Sequence, residues 1–250
     1  MQAGKRRGQR GFTVVELMVA LLIGLFLLGG LLTLVQDNRR SFASQNQLAQ
    51  LQDAERMAMT MITDVIQSAG YFPDPTVNSA TLVLPANGTF AAAGQAIVGT
   101  FSNTPPGDTI SVRYATNSGD GIVNCIGQSN ASGAVATYTN TFSVVNGQLV
   151  CTMNGTAYNI IGTVPSANFT GIVVTNMSIL YGVTTTSSPN NVDTYYTATN
   201  VPNWSNVISV KVTLTFTNPM YTAQAQAQGS TVPTTLSFQR IITVMGQAGI

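Results

Sequence analysis

Apolar residues follow three different rhythms along this chain of 250 residues. From Leu17 to Val35 they form an unbroken run of 19 uncharged positions. From Leu48 on they recur at Leu51, Ala54, Ala58, Met61, Val65 and Ala69, in the steps of three and four that mark one face of a helix. Beyond residue 70 they alternate. Ile208, Val210, Val212, Leu214 and Phe216 share one face of an extended segment, with Ser209, Lys211, Thr213 and Thr215 on the other. The pattern predicts one long helix followed by a β-rich region.

No proline interrupts the chain between Phe12 and Phe72, so the helix is expected to span Phe12–Ala69. Gly70 suits the left-handed position after a helix, and Pro73 prevents resumption. Among Met57, Met59 and Met61 core filling is the expected role. Strands are expected over Val207–Phe216, Thr235–Met245, Thr109–Ala115 and Val173–Tyr181. Arg240 interrupts the apolar face of the second, so it should lie at an end or be paired. Asn146-Gly147 between two apolar runs predicts a hairpin. Segments 85–108, 184–203 and 218–234 read as loops, with the Ala-Gln stretch 223–228 on the surface.

Charge then divides the chain. Only 8% of residues are charged, and residues 1–64 hold most of them. Histidine is absent, and Glu16 and Glu55 are the only glutamates. Without imidazole the commonest general base and metal ligand are missing, so catalytic triads and most zinc sites are excluded. Neither a cofactor nor a metal is expected. A formal charge of +1 gives no footprint for direct nucleic-acid contact.

The basic leader MQAGKRRGQR precedes the apolar run, which at ~1.5 Å per residue nearly crosses a bilayer core. The positive-inside rule places the leader in the cytoplasm and everything after Val35 outside. An ordinary signal peptide would end in small residues, where this chain has Gln36-Asp37-Asn38-Arg39-Arg40. A plain signal anchor leaves unexplained the carboxylate at Glu16, just inside the apolar stretch. Cys125 and Cys151, the only cysteines, then fall in an extracytoplasmic region. They are expected to pair, the alternative being two buried thiols.

Gly11-Phe12-Thr13-Val14-Val15-Glu16-Leu17 resembles the signal of type IV prepilins. The resemblance implies that a prepilin peptidase cuts between Gly11 and Phe12 and methylates the amine of Phe12. It also implies that Glu16 sets assembly register by pairing with a free N-terminal amine. That fits the physics, since a carboxylate and an ammonium in apolar surroundings are tolerable only together. Thr33 stands about where major pilins carry a proline, while Gly24, Gly29 and Gly30 are placed to loosen the helix. This departure favours a minor subunit.

The rest of the chain resembles the PilW family of minor pilins. The likeness runs through Ala69-Gly70-Tyr71, Val112-Arg113-Tyr114, Cys125-Ile126-Gly127 and Asn146-Gly147-Gln148-Leu149-Val150-Cys151. It continues through Ile179-Leu180-Tyr181-Gly182-Val183, Tyr195 and Trp204. It implies an α+β, type IV pilin-like fold, with a long N-terminal helix packed on a mostly antiparallel, disulfide-bonded β domain. The implied divisions are a leader 1–11, a helix 12–70 with its transmembrane segment 17–35, and a globular domain 71–250. The implied role is to prime pilus assembly and form part of the tip. Implied partners are the major pilin, other minor pilins of the PilX, PilV and FimU types, and a large tip adhesin. The implied location is the inner membrane before assembly and the pilus at the cell surface afterwards. Two other readings share the anchor: a J-type minor pseudopilin of type II secretion, and a membrane-anchored adhesin or binding module. An enzyme is poorly supported.

Three further features read as ordinary structure. Asn117-Ser118-Gly119-Asp120-Gly121 has some likeness to a calcium loop, but with one acid and no closing Glu it reads as a turn. Asp108 beside Pro105-Pro106-Gly107 reads as turn chemistry. Tyr195, Tyr196 and Trp204 read as packing rather than a partner anchor.

Overall fold

The computed structural model describes residues 13–163, 171–184, 191–221, 226–227, 229 and 231–245. The chain divides into two units, Met1–Gln47 and Leu48–Ile250. Helix α1, Val14–Gln67, contributes to both.

In the first unit α1 exposes apolar side chains all round, from Val14 to Phe42. It is the one helix among the described residues long and apolar enough to cross a membrane, with a window of mean hydropathy 2.7. Toward the end of the run the Thr33 hydroxyl donates to the Gly29 carbonyl at 2.9 Å. Such back-bonding satisfies a polar group where no water is at hand.

In the second unit α1 buries Leu51, Ala58, Met59, Ile62, Val65 and Ile66. The stripe differs in detail from the expected one. Met61 sits at its rim and Ile62 takes the centre, because the row turns with the helix as steps of four accumulate. Of the three methionines only Met59 fills core, whereas Met57 is exposed. The helix stops where expected, with Gly70 at φ 76°. The Gly70 N–H donates to the Arg113 carbonyl at 3.0 Å, which ties the helix end to the sheet.

Two antiparallel sheets complete this unit. The first has the order β1(Ile97–Thr100), β2(Thr109–Thr116), β3(Ala136–Val145), β4(Gln148–Met153), β5(Thr156–Gly162), a simple meander. The second has the order β7(Thr194–Tyr196), β6(Val174–Val183), β8(Val207–Thr217), β9(Thr235–Thr243). A four-residue helix, α2(Ala80–Val83), precedes β1. One buried cluster joins the helix stripe to Ile110, Val112, Tyr114, Phe142 and Leu149 of the first sheet. The same cluster takes in Met177, Ile179, Tyr181, Val210, Val212, Leu214 and Phe216 of the second. Arg240 is paired rather than terminal, with its guanidinium 3.3 Å from the Thr63 hydroxyl on α1.

The hairpin at Asn146-Gly147 forms as expected, both residues having positive φ. A second, unforeseen hairpin turns at Asn154-Gly155, φ 47° and 90°, and delivers β5. Two expected loops contain strands. β1 lies within 85–108 and β7 within 184–203, both short edges that propensity alone does not reveal. The stretch 223–228 falls largely outside the described residues.

Candidate functional site

Gly11 and Phe12 lie outside the described residues, and the site begins at Thr13. Thr13 caps α1, its hydroxyl accepting from the Glu16 N–H at 3.3 Å. Glu16 answers, since its Oε2 accepts from the Thr13 N–H and from the Thr13 hydroxyl, both at 3.1 Å. This is a reciprocal capping box, which satisfies backbone donors that the first turn otherwise leaves open. The same geometry puts a carboxylate at the positive end of a helix dipole. Glu16 therefore has a structural task in the isolated chain besides any pairing with an amine. The spacing Thr13-Val14-Val15-Glu16 carried that signal, overshadowed by the question of why a charge sits there.

In the second unit Cys125 and Cys151 form the expected disulfide, with Cα atoms 6.4 Å apart. It fastens the 117–135 connection to β4 beside Asn140, whose Oδ1 accepts from the Cys125 N–H at 3.2 Å. Asp120 closes a turn: its carboxylate accepts from the Thr116 hydroxyl, from the Asn117 N–H at 2.8 Å and from the Ile122 N–H at 3.1 Å.

Asp108 does more than turn chemistry. It is buried, and it accepts from the Ser102 N–H at 2.8 Å and from the Ile179 N–H at 2.7 Å. Its own N–H donates to the Met177 carbonyl at 2.8 Å. One side chain thus bolts the β1–β2 connection to β6 of the other sheet. Gly107 makes room, since a Cβ there would collide with the Met177 carbonyl, and its φ of 97° already favours glycine. The aromatic residues pack as expected. Trp204 meets Tyr181 edge-on at 4.8 Å, and the Lys211 ammonium lies 5.4 Å from the Tyr195 ring centre.

The residue that sequence reading missed is Arg113. It is 1% exposed, on the outer face of β2, and among the described residues no acid forms an ion pair with it. Its guanidinium instead donates to four backbone carbonyls: Gln95 at 2.6 Å, Leu84 at 3.1 Å, Ala92 at 3.2 Å, and Pro85. It lies 4.3 Å from the centre of the Phe90 ring. Burial lowers its proton affinity below the ordinary arginine value, and the carbonyls compensate the charge. One cation thereby shapes the whole loop from Leu84 to Gln95. A lone arginine amid apolar strand residues was the available signal.

Among the described residues no three His, Cys, Asp or Glu side chains gather where a metal could bind. An open recess of about 420 Å³ at the end of α1 is lined by Asp64, Tyr71, Ile122, Val123 and Met245, and holds a single carboxylate.

The model of type IV pilus-assembly protein W matches residues 126–243, and the prokaryotic N-terminal methylation motif matches residues 6–32. The chain is similar to the PilW family over its second half and carries a prepilin-type methylation motif near its start. The first match covers β3 to β9, and the second covers the second half of the leader, the capping box and most of the apolar run. PilW chains are of the minor-pilin class, built for assembly, and an apolar helix behind a prepilin motif fits a membrane-anchored pilin. Among solved structures the chain is similar to a type IV-like pilin from Thermus thermophilus. Identity there is 14% and the TM-score 0.41, over 79% of this chain and 97% of the other. No curated protein matches the chain.

Proposed function

We propose that this chain is a PilW-type, non-enzymatic minor subunit of the type IV pilus that primes assembly and takes part in the tip complex. The observation that carries the reading is the methylation motif running into a capped helix whose first half is apolar, on the same chain as the PilW match. On this reading a prepilin peptidase cleaves between Gly11 and Phe12 and methylates Phe12. The helix holds the precursor in the inner membrane, with the domain 71–250 in the periplasm. It then moves into the filament, at whose tip the domain meets other minor pilins of the PilX, PilV and FimU types, the major pilin and a large adhesin. Glu16 sets register by meeting an N-terminal amine, for which it exchanges its bonds to Thr13.

The capping box makes the test specific. Gln at the third helical position also completes a capping box, so Glu16→Gln keeps the helix start and removes only the charge. We expect Glu16→Gln and Glu16→Ala both to be cleaved normally and both to fail to co-purify with sheared pili. Normal recovery of Glu16→Gln would assign Glu16 to capping alone. A precursor with intact Met1 on N-terminal mass spectrometry would overturn the prepilin reading altogether.

A further inference from the structure

A β-sheet ends in two strands whose outer backbone groups have no partner, and proteins normally blunt such edges by shortness, bulges, prolines or charge. Three of the four edges in the second unit are blunted. β1 has 4 residues and β7 has 3. β5 pairs with β4 across a register shift at Leu149/Val150. The fourth, β9, is different. It has 9 residues, contains no proline or lysine, and pairs with β8 at every position without a shift.

The register fixes which groups of β9 are free. The Val244 N–H donates to Ile208, directly opposite it in the ladder. In an antiparallel pair such bonded positions alternate. Ile242, Arg240, Phe238 and Leu236 are therefore the residues bonded to β8, and their side chains face inward. Thr235, Ser237, Gln239, Ile241 and Thr243 turn their N–H and C=O groups outward, away from β8. Among the described residues no backbone bond reaches them. Their side chains are all exposed and uncharged, and Ile241 is 57% exposed. The one charge on the strand, Arg240, is directed to α1 and leaves the outer edge neutral.

We propose that the outer edge of β9 accepts an extended, uncharged segment of a neighbouring pilus subunit, which adds a fifth strand to the β7-β6-β8-β9 sheet. A straight row of alternating donors and acceptors specifies its occupant, because only another extended backbone matches that spacing. The neutral row Thr235, Ser237, Gln239, Ile241 and Thr243 excludes a strongly charged strand, and exposed Ile241 supplies an apolar anchor. The identity of the neighbour as a pilus subunit rests on the function proposed above, whereas the strand addition rests on the edge itself.

Gln239→Pro in the full-length chain tests it. Proline at an outward-facing position removes one edge donor and leaves the β8 ladder intact. The expected result is a drop of roughly tenfold or more in recovery with sheared pili, with an unchanged thermal midpoint. Should that variant fail to fold, Ile241→Lys places a charge on the same edge without touching the backbone. A photo-crosslinker at position 239 should capture a different pilus subunit, identified by mass spectrometry. One at position 213, directly opposite in the register but one strand inward, should not. Undiminished recovery of the edge variants, a crosslink only to a second copy of this chain, or equal capture from both positions would overturn the proposal. The crosslink is read in membranes as well as in pili. Absence of the wild-type chain from pili would therefore refute the filament reading, while the membrane result would still decide the edge.

Discussion

Replacing Arg113 separates what the charge does from what the side chain fills. In Arg113→Met the guanidinium is lost but the volume is nearly kept. Of the four carbonyls it serves, Pro85 and Ala92 belong to exposed residues and can turn to water. Leu84 keeps another partner, the Gly94 N–H at 2.8 Å. Gln95 is buried and is left without a donor. One stranded carbonyl costs about 1–3 kcal/mol, and the lost contact over Phe90 about 1 kcal/mol more. Relief of a desolvated charge returns part of this, so the net loss should be about 2 kcal/mol. In a unit of this size that is a midpoint shift of about 4–8 °C. Arg113→Lys, the chemically closer change, should do worse. An ammonium presents its donors from one point and cannot span carbonyls from Leu84 to Gln95, so it remains a buried charge with too few bonds. A loss of about 3–5 kcal/mol is expected. The assay is thermal unfolding of the full chain in detergent, with amide exchange followed over residues 84–97. Arg113→Lys matching the wild type, or proving more stable than Arg113→Met, would refute the cradle as the source of the loop's order.

Two further outcomes follow from the same unit. Asp108→Asn should cost about 2–4 kcal/mol, because one amide N–H₂ must then face the N–H of Ser102 or Ile179. Asp120→Asn, in a solvent-facing turn, should cost less than about 1 kcal/mol, and similar midpoint losses for the two would contradict the sheet-to-sheet bolt. Burial pushes the Tyr114 hydroxyl up to about 12, eased by the Asn140 side chain, and raises that of Tyr181 as well. The folded chain therefore holds these protons after the unfolded chain, titrating near 10, has released them, and stability should fall as pH rises from about 10 toward 12. Tyrosinate absorbance should show these two groups ionising together with unfolding, not near pH 10 in a chain that keeps its tertiary circular dichroism.

What could be read from the sequence was whatever depended on local period or on rare residues. The apolar run, the stripe from Leu51, the alternation in β8 and the turn at Asn146-Gly147 all carry their signal within about ten residues. The disulfide was legible because only two cysteines exist. The tasks of Arg113 and Asp108 were not, because each depends on a partner brought from elsewhere. Leu84 and Gln95 reach Arg113 only after the loop closes, and Ile179 meets Asp108 across 71 positions of chain. β1 and β7 were missed for a related reason, since strands of 4 and 3 residues are fixed by their neighbours rather than by their own composition. The capping box was the opposite case, with its pattern in plain view and its meaning split between a local bond and a distant partner.

Several of the scarce charges after Gly70 are engaged close to home. Arg113 and Asp108 are buried, Arg240 reaches Thr63, Lys211 lies over Tyr195, and Asp120 is folded into its own turn. A region with so few charges projects only a weak long-range field, so it steers an approaching partner little. Encounters in free solution would fall in the unassisted range of about 10⁵–10⁶ M⁻¹s⁻¹. On the proposed reading, tethering by an apolar helix would supply the compensation, since it would confine the search to two dimensions and raise the local concentration of neighbours. Recognition that works this way is indifferent to ionic strength. Contacts made by the β-rich region alone would then form much alike in dilute and in salty surroundings.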